Sequence, residues 1–118
     1  LWIKETGWSV VDGIATQDGT GSASTAELAY RNATANISSL TFNIQFEVIN
    51  YISGNMVCTL NGQSLASKIN VSSNRVININ VNVLPSANFD FRFFPYNVCA
   101  LSIINPGLKA FYQNYYKS

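Results

Sequence analysis

At 118 residues and 13.0 kDa the chain is long enough for one hydrophobic core and too short for two. It is 47% hydrophobic but only 11% charged, against about 25% charged in an ordinary soluble domain, so its solubility has to come from 15 Asn, 13 Ser and 7 Thr. The net charge is +1, and the basic residues Lys4, Arg31, Lys68, Arg75, Arg92, Lys109 and Lys117 are scattered, which excludes the clustered cations a nucleic-acid binder needs.

Along the chain the dominant period is two. Trp8 opens the first strand, with Val10 on its face, and "SVVDGIAT" predicts two short strands around the Asp12-Gly13 reversal. The Gly/Ser/Thr ramp "GTGSASTAEL" then carries the chain to the next sheet. Residues 24–33, "STAELAYRNA", are expected to be extended, because Ala26, Leu28 and Tyr30 alternate. In "LTFNIQFEVI", Leu40, Phe42, Ile44, Phe46 and Val48 alternate with polar residues, the mark of a half-buried strand. "NMVCTLNGQSL" reads as a hairpin about Asn61-Gly62. "RVININVNVL" sets Ile77, Ile79, Val81 and Val83 against Asn78, Asn80 and Asn82, and "NFDFRFF" sets Phe89, Phe91 and Phe93 against Asp90 and Arg92. Pro106-Gly107 is expected to end the last strand. The result is an all-β antiparallel sandwich, a jelly roll of about eight strands over residues 1–107, with a short aromatic C-terminal extension over 108–118.

Taken in order, Trp2, Gly7-Trp8, "DGIATQDGT", "SASTAELAY", "LTFNIQFEVINYISGNMVCTLNG" and "ANFDFRFFP…ALSIINPGL" give a chain that resembles the galactose-binding-like jelly-roll domains common in bacteriophage tail fibres, head fibres and other virion proteins. The resemblance spans roughly residues 2–111. The positions that carry it, Gly7, Trp8, Gly13, Phe46, Gly54, Gly62 and Ile103–Asn105, are scaffold positions. The chain departs from the family pattern at "NISSLTF", where Gly-Lys-Thr-Tyr is usual, and at Ile103-Ile104-Asn105, where Ile-Asp-Asn is usual. The resemblance implies the jelly roll and a noncatalytic role in a virion.

The chemistry-bearing residues are few. The acids Glu5, Asp12, Asp18, Glu27, Glu47 and Asp90 fall mostly in turns or on outward strand faces, and no histidine exists to serve as the base of a nucleophilic triad. No catalytic residue is therefore expected, and no cofactor. Zinc lacks ligands. A calcium site at "DGIATQDGTGS" would have Asp12 and Asp18 but not the ladder of closely spaced acids such sites use, so no metal is expected. Cys58 and Cys99 are either buried free thiols or a disulfide between neighbouring strands. The sequons at Asn32, Asn36 and Asn70 are no more than an Asn-, Ser- and Thr-rich chain produces by chance.

Two surfaces remain as candidates. Tyr51, Phe94 and Tyr96, the last two flanking Pro95, could form an aromatic platform for a sugar ring, with nearby Asn, Asp or Arg as hydrogen-bonding groups. The tail "NPGLKAFYQNYYKS" places Leu108, Phe111, Tyr112, Tyr115 and Tyr116 at helix-compatible spacing. These aromatics either fold back over their own domain or dock on a neighbouring subunit. No run is long and apolar enough to span a bilayer, and the early charge in "LWIKETGW" does not fit a signal peptide. Leu1 in place of Met suggests a processed chain or a piece of a longer one. The leading expectation is a structural or decorating component of a phage particle, located in the virion. It would assemble with copies of itself (a trimer, if a fibre) or with other virion proteins. The alternative is a carbohydrate-binding module that recognises host surface glycans.

Overall fold

The computed structural model describes residues 2–21, 26–32, 40–83 and 89–110. They form an all-β, antiparallel sandwich of the jelly-roll type with nine strands: β1 (Trp2–Lys4), β2 (Trp8–Val11), β3 (Ile14–Asp18), β4 (Leu28–Asn32), β5 (Leu40–Leu60), β6 (Gln63–Ser64), β7 (Asn70–Val71), β8 (Arg75–Val83) and β9 (Phe89–Ala110). Two strands dominate, β5 with 21 residues and β9 with 22, and they run antiparallel to each other for most of their length.

Each long strand serves both layers. The first half of β9 and the end of β5 pair side by side, from Asn55 opposite Tyr96 to Leu60 opposite Phe91. β4 and then β1 extend this first sheet on the β9 side, and β6 and β7 extend it on the β5 side. The second half of β9 pairs with the start of β5, and here β3 and β2 continue on one side and β8 on the other. Both strands fold over between the two layers. The register shifts between Ile49 and Asn55, and left-handed backbone at Asn50, Gly54, Asn97 and Val98 turns the ribbon.

The sandwich interior follows from the alternation. Phe42, Ile44, Phe46 and Val48 from the second sheet meet Phe89, Phe91 and Phe93 from the first, all buried. Ring pairs bridge the layers: Phe42 with Phe89 at 5.2 Å and Phe46 with Phe93 at 5.1 Å, the latter edge-to-face as the aromatic quadrupole favours. Trp2 closes one flank, stacking on Phe93 at 5.9 Å. Both predicted two-residue hairpins are present. Asp12-Gly13 joins paired Val11 and Ile14, and Asn61-Gly62 joins paired Leu60 and Gln63, with positive φ at both residues of each turn.

The ramp after β3 is anchored by a buried amide. Gln17 is 1% exposed; its Nε2 donates to the Thr6 carbonyl, and its Oε1 accepts the Gly19 and Gly21 amides. Asp18 accepts both the amide and the hydroxyl of Thr20.

One expectation is corrected. Pro106-Gly107 does not end the last strand: Gly107, Leu108, Lys109 and Ala110 continue the ladder opposite Gln45, Ile44, Asn43 and Phe42. The proline fits because it falls in a bulge, where Asn105 and Pro106 together stand against the single residue Phe46. Leu108 is thus a strand residue and not the start of a helix. Phe111, Tyr112, Tyr115 and Tyr116 lie outside the described residues.

Candidate functional site

β9 alternates strictly where it enters the fold-over: Phe93 and Pro95 are buried in the core, while Phe94 and Tyr96 point to the outer face of the first sheet. Pro95 is tolerated because β4 begins at Leu28, opposite Phe93, so the strand has a single neighbour there. Tyr96 is 39% exposed and Phe94 half-buried. Directly across from Tyr96 stands Asn55, and across from Phe94 stands Val57, whose other neighbour is Asn70 on β7.

The polar groups beside the rings are linked. Asn97 Nδ2 donates to Asn55 Oδ1 at 3.3 Å, and Asn55 Nδ2 donates to Asn70 Oδ1 at 3.1 Å. These two bonds fix the Asn55 amide and do not use the Asn70 amide protons or the Asn97 side-chain oxygen. Sequence reasoning names the two aromatics as candidates but does not single out the three asparagines. Only Asn97 adjoins an aromatic in sequence; Asn55 and Asn70 are delivered by strand pairing.

Tyr51 is placed differently. Its ring packs against the core, and its hydroxyl donates to the Gly54 carbonyl at 2.6 Å. Its backbone N–H donates to Asn74 Oδ1. It braces the fold-over from beneath and does not lie alongside the two outward rings. Ile52 and Val98, at 76% and 62% exposed, crown the same end.

Further along this face, the charges are matched. Arg92 donates to both oxygens of Asp90 at 2.7 and 2.9 Å and to Glu27 at 2.6 Å, while Arg31 reaches Asp90 at 3.1 Å. The Arg92 guanidinium holds the Asp90 carboxyl below the usual carboxylate range. Asp90 and Glu27 are thus held together through Arg92 as an ion-pair brace. Two cations against two anions make the brace itself neutral.

Among the described residues, no group of three His, Cys, Asp or Glu side chains converges as metal ligands. Cys58 and Cys99 are both buried and both free. Burial pushes the Cys58 thiol well up and raises Cys99 to about 11, which makes both poor nucleophiles.

No family model matches the chain, and no curated protein matches it. Among solved structures it is similar to the CBM35 from Cellvibrio japonicus Abf62, with 18% identity over 93% of this chain and 96% of that one and a TM-score of 0.38. It is also similar to an Xyl-CBM35 solved in complex with a glucuronic acid containing disaccharide, with 19% identity, the same coverage and a TM-score of 0.40. At such identity and scores the likeness says nothing of what this chain binds.

Proposed function

We propose that the chain is a noncatalytic carbohydrate-binding module whose platform is Phe94 and Tyr96. One observation carries the reading: two accessible aromatic rings two residues apart on one sheet face, bordered by the linked amides of Asn97, Asn55 and Asn70. A pyranose ring has an apolar C–H face that packs on an aromatic ring and a rim of hydroxyls that both donate and accept. Carboxamides match that rim because each offers two donors and an acceptor. The neutral ion-pair brace at Arg92 favours an uncharged saccharide over an anionic one, since no unmatched cation is left to receive a carboxylate.

The test is binding of the full chain to an immobilised panel of neutral bacterial and plant polysaccharides, with Tyr96→Ala alongside. The variant should keep its urea midpoint and bind at least about ten-fold more weakly, since loss of one ring contact removes on the order of 1 kcal/mol or more. Binding by Tyr96→Ala equal to the parent, or none by the parent to any member, would reject the platform.

A second reading, the virion component that assembles through protein contacts, draws support from a short apolar row on the outer face of the second sheet. Val11, 64% exposed, stands at its edge, with Ile14 and Ile104 beside it, and Glu47 on β5 ends the row. Light scattering decides it: a stable trimer supports assembly, and a monomer at high concentration counts against it. The two readings are compatible, because a particle component can also hold a glycan.

A further inference from the structure

The outer face of the second sheet carries a hollow of about 190 Å³ between β5 and β8. Its four walls are the outward side chains of two adjacent cross-strand pairs, Glu47 with Val76 and Gln45 with Asn78, and its floor is the backbone of Phe46 and Ile77. On the other side of β5, β9 carries its bulge opposite Phe46. The hollow is smaller than the ~300–1,000 Å³ of a drug-sized site, so it takes one small ring rather than a large ligand.

The polar groups around it are oriented before any ligand arrives. Asn43, 7% exposed, donates its amide to Asn78 Oδ1 at 2.7 Å and to Asn80 Oδ1 at 3.0 Å, and it accepts from Gln45 Nε2 at 2.6 Å. With those atoms taken, Asn78 is left presenting its N–H donors and Gln45 its carbonyl oxygen. Glu47, half-exposed, makes no ion pair or hydrogen bond among the described residues. It brings two acceptor oxygens, and Val76 supplies an exposed apolar wall. The hollow therefore holds a bidentate acceptor, a fixed donor, a fixed acceptor and an apolar side.

We infer that this hollow is a second saccharide subsite, for a single neutral pyranose bearing vicinal hydroxyls. The two Glu47 oxygens accept from adjacent O–H groups in charge-assisted bonds, Asn78 donates to a ring or hydroxyl oxygen, and the C–H face of the sugar lies against Val76. The choice of ligand class rests on the saccharide reading above; the site itself does not, since it lies on the opposite face of the sandwich from Tyr96. Two sites facing opposite ways would let one chain join two glycan strands, so avidity on a polyvalent surface would exceed the affinity of either site.

The test uses the full chain labelled with ¹⁵N and titrated to tens of millimolar with cellopentaose, mannopentaose and galactobiose, together with Glu47→Gln and Tyr96→Ala. Glu47→Gln keeps the shape but removes the charge-assisted acceptor, and amide shifts away from the hollow report that the fold is intact. The expected result is saturable shifts at residues 45–47 and 76–78 with at least one probe, about ten-fold weaker in Glu47→Gln and unchanged in Tyr96→Ala. Shifts confined to residues 94–97 and 55 would leave the aromatic platform standing and overturn the hollow. Shifts at 45–47 and 76–78 alone would do the reverse. No movement at 45–47 and 76–78 with any probe, or equal movement in Glu47→Gln, overturns the subsite.

Discussion

The indole Nε1 of Trp8 donates to the carbonyl oxygen of Ala26 at 2.6 Å, tying the first residue of β2 to the segment that leads into β4. Trp8 is 8% exposed and Ala26 fully buried, so neither atom has water as an alternative partner. Trp8→Phe keeps an aromatic ring but leaves the Ala26 carbonyl unsatisfied, a cost of about 1–3 kcal/mol. Urea unfolding should show a lower midpoint with an unchanged slope, because the surface exposed on unfolding hardly changes. Saccharide binding should be unaffected, since Trp8 faces the interior and the proposed sites are on the outer faces.

A second close approach governs the shape of the fold-over. A Cβ placed on Gly54 would come within 2.5 Å of Cys99 Cα and 2.6 Å of the Tyr96 carbonyl oxygen, and Gly54 itself has φ of +77°. Both obstacles are backbone, so neither can swing aside. Gly62 has a similar φ of +80° with nothing within 4 Å of its Cβ position, which makes it the natural control. Gly62→Ala should lose about 1 kcal/mol for the left-handed backbone alone. Gly54→Ala should lose about 3 kcal/mol once overpacking is added, and it should weaken saccharide binding by displacing Tyr96. Equal losses in the two variants would show that the fold-over yields more easily than its contacts imply.

How far the sequence announces all this can be seen in the two long strands. The alternation of Phe42 to Val48, of Ile77 to Val81 and of Phe89 to Phe93 correctly assigns inward and outward faces, and both Asx-Gly hairpins close where their chemistry demands. What local pattern does not reveal is that β5 and β9 each pass through both layers. Asn50, Gly54 and Asn97 are turn-forming residues, and a bend inside a strand needs the same left-handed backbone as a turn between strands. Pro106-Gly107 misleads for a related reason, since a proline in a bulge and a proline at a strand end look alike in sequence. The aromatic half of the proposed platform can be named from the sequence because Phe94 and Tyr96 are two residues apart. Its amide half cannot be, because Asn55 and Asn70 reach Tyr96 only through pairing across three strands. The hollow is less legible still, as it depends on the register between β5 and β8.

The ion-pair brace offers a last check, through pH. The Asp90 carboxyl is held below its ordinary value, chiefly by hydrogen bonds from the Arg92 guanidinium. A depressed folded-state value means that the stabilisation is fully present above the unfolded-state value, near pH 4, and is lost as pH falls through the lower folded-state value. The parent should therefore lose stability below about pH 4 more steeply than Asp90→Asn, which has no carboxyl to titrate at that position. Solvent reaches both Asp90 and its partner Arg31, so screening keeps the difference to about 1 kcal/mol or less. Urea midpoints for the two proteins measured from pH 7 down to pH 2 should differ at neutral pH and converge below pH 4. Parallel curves across that range would mean that Asp90 contributes through packing and uncharged hydrogen bonding, and that the charge matching around Arg92 stabilises nothing.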